Sequence, residues 1–358
     1  MKKNIAFVVV LILIFSVITA VIIKIKNPVN KKRGDKIEII ATLFPQYDFA
    51  KQIGGDKVNV TLLLPPGAES HTYEPTPQDM VNVNNSDLFI YTGEEMEPWA
   101  DNLISGMKND IRVLDLSKTV DLINTEEFEE EHEGEAHGHN HEKEEEHETE
   151  HDEDHDAEHE HSEEENDKEH SHEHDEDEHH HTYDPHIWLN PQYAIKMAES
   201  IKDELCKINP ENKEYYENNA NEYINQIKQL DSEFEEVVDN SKSKKIAFGG
   251  AFAYAYFVER YDLDFISAYE TCGESAEPST AKIKEVIDYI NKNKIPVVFY
   301  KEYSNGNVAK TISEATRTEM LVFNTVHNLS KEEIQSGATY VSIMRENLEN
   351  LKKALTKK

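Results

Sequence analysis

The chain has 358 residues and only two cysteines, Cys206 and Cys272. Two thiols exclude a zinc site built from four cysteines and a framework of several disulfides. They fit either one disulfide outside the cell or two buried thiols. No cysteine lies near the N-terminus, so a start anchored through a lipidated cysteine is not expected. Positive charge is scarce too: 37 Lys and Arg stand against 72 Asp and Glu, a formal net charge of -35. Nucleic-acid binding needs a basic footprint, and none is present. A phosphate-cradling glycine loop is also missing, Gly249-Gly250 being far too short, and no nucleophile–base arrangement stands out. His147-Glu148-Thr149-Glu150-His151 has the spacing of a zinc-protease helix, but it lacks the apolar face such a helix packs into a core. Composition accounts for that match, and the chain is read as a binding protein rather than an enzyme.

What is present is unevenly spread. Between Glu126 and His181 lie 29 acidic residues, two basic ones (Lys143 and Lys168) and 15 of the 18 histidines. Such a segment has too little apolar surface to offset the entropy lost on ordering. The reading is a disordered loop over residues 126–182, inserted into a first domain. Within it His147, His151, His155 and His159 recur every four residues, one face of a helix if a helix forms. Weak, multiple zinc binding is expected there, fading on mild acidification because a metal requires neutral imidazole.

The N-terminus reads MKKN, then an apolar run from Ile5 to Ile23, close to the ~20 residues that span a bilayer. Residues 1–35 are read as a signal peptide or an N-terminal membrane anchor. The protein is then extracytoplasmic, tethered to the outer face of the cell membrane, or secreted or periplasmic after cleavage. Lys24, Lys26, Lys31, Lys32 and Arg33 follow the run, more positive charge than precedes it, which by itself favours the opposite orientation.

After Asp35 short β-rich runs alternate with helical stretches, as in α/β proteins with mainly parallel sheets. Strands are predicted at Lys36–Leu43, Val58–Leu64, Asp87–Thr92 and Ile111–Leu116, with helices at Pro77–Asn84 and Pro98–Met107. A helix over Ala194–Ile208 and a longer one from Pro210 to about Val238 follow, the latter with Tyr215, Tyr223, Ile224, Ile227, Leu230 and Phe234 on one face. A second α/β unit has strands at Lys245–Phe248, Leu263–Ala268, Pro296–Tyr300 and Met320–Asn324. Its helices run over Ala251–Tyr261, Thr280–Asn293 and Val308–Thr316, and Thr339–Leu355 closes the chain. The division is therefore an N-terminal lobe over 36–209, a linker helix over 210–240 and a C-terminal lobe over 241–358, with a cleft between the lobes for a small ligand.

Outside the acidic segment only His71, His186 and His327 remain, each at the end of a strand or helix, where ligands gather. Three imidazoles plus a carboxylate or water make a tetrahedral zinc set, whereas manganese prefers oxygen. Asp184 is placed to orient a ligand histidine through its second N–H.

The strings HTYEPTPQD at His71–Asp79 and DPHIWLNP at Asp184–Pro191 resemble the signature stretches of metal-specific substrate-binding proteins of bacterial ABC importers. The zinc-uptake type is most similar, since it often carries a histidine-rich acidic loop between those stretches. The resemblance runs from about Lys36 to the C-terminus. It implies two α/β lobes joined by a long rigid helix, one metal in the interlobe cleft, and delivery of zinc to a membrane permease driven by a cytoplasmic ATPase. The receptor would act as a monomer.

His71 and His186 match the family's first two ligands. The third and fourth positions depart from it: a usual His or Glu is Ala251, and a usual Asp or Glu is Asn324. His327, three residues beyond, is the natural replacement. Glu302 aligns with a glutamate common in the family and is a candidate fourth ligand, beside Glu270, Cys272 and a water. A second reading is a surface protein that buffers metal or adheres, in which the histidine-rich segment is the working part.

Overall fold

The computed structural model describes residues 36–108, 110–136, 182–269 and 278–356. The N-terminal run, most of the histidine-rich segment, Glu270 and Cys272 lie outside the described residues.

Strands β1 (Ile37–Ala41), β2 (Val58–Leu62), β3 (Leu88–Tyr91) and β4 (Arg112–Asp115) form one sheet in the order β2-β1-β3-β4. Strands β5 (Lys245–Phe248), β6 (Asp264–Ser267), β7 (Val297–Tyr300) and β8 (Glu319–Val322) form a second, in the order β6-β5-β7-β8. Every pairing is parallel, with Ile39 opposite both Val60 and Leu88 in the first sheet. Parallel sheets are covered on both faces, so their central strands read as continuous apolar runs. All four residues of β3 are buried, as that rule requires. Both lobes thus repeat one topology, and ligands of such sheets bind outside the carboxyl ends of the strands.

Around the first sheet lie helices α1 (Phe44–Gly54), α2 (Pro77–Val83) and α3 (Ala100–Ser105). After α4 (Thr125–Ala136) come α5 (Pro191–Ile208) and the 27-residue α6 (Lys213–Asp239). The second lobe adds α7 (Ala255–Tyr261), α8 (Thr280–Asn293), α9 (Asn307–Thr316), α10 (Lys331–Ser336) and α11 (Tyr340–Thr356).

Helix α6 is about 40 Å long at 1.5 Å per residue. Its buried stripe is Tyr216, Ala220, Tyr223, Ile224, Ile227, Leu230 and Phe234, the three-and-four spacing of an amphipathic helix. Tyr216, not the expected Tyr215, faces inward; the Tyr215 hydroxyl instead accepts from the Asp56 N–H. Two polar ties along its middle hold the lobes to this helix. Buried Asp48 of α1 accepts from the Tyr223 hydroxyl and from the Tyr340 N–H of α11 at 2.9 Å. Buried Asp231 of α6 accepts two bonds from Arg260 (3.1 and 2.7 Å), one from the Tyr261 hydroxyl (2.8 Å) and one from Gln192 of α5. One apolar core runs from the first sheet through α5, α6 and α11 into the second lobe.

Two sequence expectations change, and one helix was not expected. The disordered loop expected from residue 126 begins with a helix, α4, because Phe128 is buried and stacks against Phe252 and Phe265 of the second lobe at 6.2 and 5.9 Å. The helix expected over Ala251–Tyr261 starts only at Ala255, since Tyr254 stacks flat on Phe248 at 4.7 Å. Helix α1 is the unexpected one. Its first turn is organised by Gln46, whose side-chain oxygen accepts from the Leu43 N–H at 2.9 Å while its amide reaches Thr92 at 2.6 Å. No helix among the described residues is long and apolar enough to cross a membrane.

Candidate metal centre

His71 sits in the loop between β2 and α2. The loop is pinned on both sides. Thr76 and Asp79 form a capping box at the start of α2, with Pro77 in its first turn, which explains the string HTYEPTPQD. Tyr73 donates to Asp79 at 2.9 Å and packs edge-on against Trp99 at 5.1 Å. The Trp99 indole donates to the Ser70 carbonyl at 2.8 Å, one residue before His71. From the other lobe, Asn328 donates to the carbonyls of Pro65 and Ala68 at 2.7 and 2.9 Å, and Gly67 N–H reaches the Leu329 carbonyl at 3.1 Å. The His71 loop is therefore tied to the residues that directly follow His327.

His186 is buried at the start of a short 3-10 turn, Ile187–Leu189, that leads into α5. Asn190 caps α5 and Pro191 occupies its first turn, so DPHIWLNP is a helix entry with a histidine on its rim. Asp184 Oδ1 accepts from the His186 N–H at 2.7 Å and lies 3.1 Å from its Nδ1. The Trp188 indole donates to the Thr325 carbonyl at 2.7 Å, two residues from His327. The Tyr256 hydroxyl donates to the Asp184 carbonyl at 2.8 Å and accepts from the Ile123 N–H at 3.0 Å. Burial, with the charge of Asp184 added, pushes that phenol well above its usual range.

His327 is buried after β8. Its Nδ1 lies 2.6 Å from the Thr325 hydroxyl and 3.3 Å from Glu302 Oε1. Glu302 accepts from the Thr325 N–H at 2.8 Å and from the Thr325 hydroxyl. Burial alone would raise the Glu302 carboxyl, but the bonds from His327 and Thr325 hold it below the usual range. The Thr325 hydroxyl has a single proton, given to Glu302, so His327 Nδ1 must carry the proton in their mutual bond. A carboxylate at His186 Nδ1 demands the same. Both rings then present a bare Nε2 lone pair, the tautomer a metal ligand needs.

The rings of His71 and His186 lie 5.9 Å apart, centre to centre, edge to face. His327 forms a separate pair with Glu302. Among the described residues no group of three or more His, Cys, Asp or Glu is gathered tightly enough to hold an ion. Both oxygens of Glu302 are committed to Thr325 and His327. Ala251 is buried. Asn324 shapes the His327 loop: its side-chain oxygen accepts from the N–H of Val326, a residue with φ of 62°, and its backbone is bound on both sides by Asn347.

Two charged residues escaped the sequence reading. Glu69, two before His71, pairs with Lys301 of the other lobe at 3.2 Å. Partial burial works to raise the Glu69 carboxyl, but the positive charge of Lys301 holds it far below its usual range. Glu69 also lies within electrostatic reach of His71 and His327, one from each lobe. Its closeness to His71 in sequence was the available signal.

The profile of the family described as "Zinc-uptake complex component A periplasmic" (ZnuA) matches residues 39–354. Over 324 residues the chain is 32% identical to the high-affinity zinc uptake system protein ZnuA of Bacillus subtilis, covering 90% of this chain and 89% of that protein. It is 30% identical over 324 residues to the zinc-binding lipoprotein AdcA of Streptococcus pneumoniae, covering 90% of this chain but only 57% of AdcA. Among solved structures, the Zn(II)-bound ZnuA-like domain of that AdcA superposes with a TM-score of 0.66 at 27% identity, over 90% of this chain and all (100%) of that one. The metal-dependent lipoprotein YcdH of Bacillus subtilis superposes with a TM-score of 0.68 at 29% identity, with the same coverage.

Proposed function

Because this chain belongs to the ZnuA family of periplasmic zinc-uptake components, we propose that it captures zinc outside the cytoplasm and delivers it to a membrane permease driven by a cytoplasmic ATPase. The observation that carries this reading is the His71–His186 pair, 5.9 Å apart and set on two loops that are each hydrogen-bonded to the His327 loop. Zinc is the cargo, and His71, His186 and His327 are its ligands. The ion draws the His327 loop onto the other two rings, since Nε2 is the free atom on both His186 and His327. Glu302, a fourth ligand on the sequence reading, acts on the metal through His327, because both its oxygens are engaged. The fourth position falls to Glu69, whose Oε1 accepts from Ser70 but whose Oε2 is held only by the ammonium of Lys301 rather than by a ligand histidine. No catalytic group is assigned.

In this reading residues 36–209 and 241–358 are the two lobes, 210–240 joins them, 1–35 directs export or tethers the receptor, and the monomer is the working form. The histidine-rich segment collects zinc weakly. Calorimetric titration of the chain lacking residues 137–181, which spares α4, is expected to show one tight zinc event. His71→Ala with His186→Ala abolishes it. A tight event that persists in that double variant overturns the site.

A further inference from the structure

Lys301 is the first residue beyond β7, and Glu302 is the second. Glu302 turns to His327, and Lys301 turns across the cleft to Glu69. A lysine is rarely buried without a partner, yet only 12% of this side chain is exposed. Its backbone abuts Gly250: a Cβ there would lie 3.4 Å from the Lys301 nitrogen. Lys301 therefore flanks Ala251, the position where the family resemblance expects a metal ligand. Three carboxylates, Glu69, Asp184 and Glu302, stand about the three histidines, and Lys301 is the cation paired with one of them.

We propose that Lys301 is an internal stand-in for the cargo: in the metal-free receptor its ammonium ties the lobes through Glu69, and zinc displaces it, freeing Glu69 to turn to the ion. This rests on the zinc site proposed above. The exchange is one cation for another. It makes no covalent bond, and the released ammonium, a strongly hydrated group, returns to water. The ion therefore always binds in competition with a tethered positive charge, which limits retention and favours release. A lysine that only supported the loop would have the opposite signature, since its loss would weaken binding.

The experiment is zinc affinity of the full chain by competition with a chelator that keeps free zinc below the level at which the histidine-rich segment fills. Lys301→Met is expected to bind at least ~10-fold tighter, the order of effect of removing a unit charge a few ångströms away at a protein surface. Lys301→Arg keeps the competitor and stays near the parent. In a Glu69→Gln background the Lys301→Met gain shrinks markedly, because the two residues act as a pair. Lys301→Gln serves if the methionine variant folds poorly, and metal-free thermal unfolding checks each variant. Unchanged or weaker zinc binding by a folded Lys301→Met or Lys301→Gln overturns the proposal. Tight binding by the His71→Ala, His186→Ala variant overturns the zinc site itself, whatever Lys301 does.

Discussion

His327 Nδ1 lies 3.3 Å from Glu302 Oε1, and the same Glu302 accepts from the backbone and hydroxyl of Thr325. On the opposite lobe His186 Nδ1 lies 3.1 Å from Asp184 Oδ1. The two imidazoles are thus oriented in the same manner from two sides of the cleft. Carboxylates in this position fix the ring and raise its basicity, and their loss costs roughly 10- to 100-fold in metal affinity. Glu302→Gln and Asp184→Asn are each expected to weaken zinc binding within that range while far-ultraviolet circular dichroism stays unchanged. Complete loss of the tight site in Glu302→Gln would instead mark Glu302 as a direct ligand.

Glu97 sets a pH dependence of stability. It is fully buried, and burial pushes its carboxyl up to about 7, against bonds from Thr42 and the N–H groups of Thr92 and Gly93. Thr42 has one hydroxyl proton, yet its oxygen lies 2.7 Å from Gln46 Oε1 and 2.5 Å from Glu97 Oε1. A neutral Glu97 that donates to Thr42 satisfies both contacts. A raised acid binds its proton more tightly when folded, so its stabilising effect is complete below the unfolded value near 4.5. It is lost as pH rises through about 7. Glu97→Gln mimics the protonated acid. Between pH 5 and 8 the parent should lose up to about 3 kcal/mol relative to this variant. Thermal midpoints measured across that range check it; parallel curves would refute a neutral Glu97.

Asp231 joins α6 to Arg260 and Tyr261 of the second lobe and to Gln192 of α5. Its side chain is 4% exposed and that of Arg260 22%. Removing one partner of such a pair leaves the other charge uncompensated. Asp231→Ala is expected to cost about 3 kcal/mol in denaturant unfolding, with zinc affinity changed far less than stability. A cost below about 0.5 kcal/mol would show that solvent replaces the carboxylate freely.

Phe128 fastens the base of the histidine-rich segment. Deleting residues 137–181 should leave the tight zinc event and the melting temperature in place, whereas Phe128→Ala should lower stability by about 3 kcal/mol, the usual loss for a buried aromatic. Calorimetry and thermal unfolding of both variants test the pair of outcomes. Loss of the tight site in the deletion would move the function into the acidic segment.

Sequence alone determined the eight parallel strands and the long helix, and it singled out His71 and His186. Those features are local: apolar runs bounded by turns, a three-and-four stripe, and helix entries marked by Thr76-Pro77 and Asn190-Pro191. The tertiary structure decided what those histidines meet. Glu302 belongs to His327, Trp188 reaches Thr325, and Lys301 meets Glu69 across 232 positions of chain. It also turned the first residues of an apparently structureless segment into α4, because the partners of Phe128 lie in the other lobe. No spacing rule registers such contacts, since they exist only after α6 has fixed one lobe against the other.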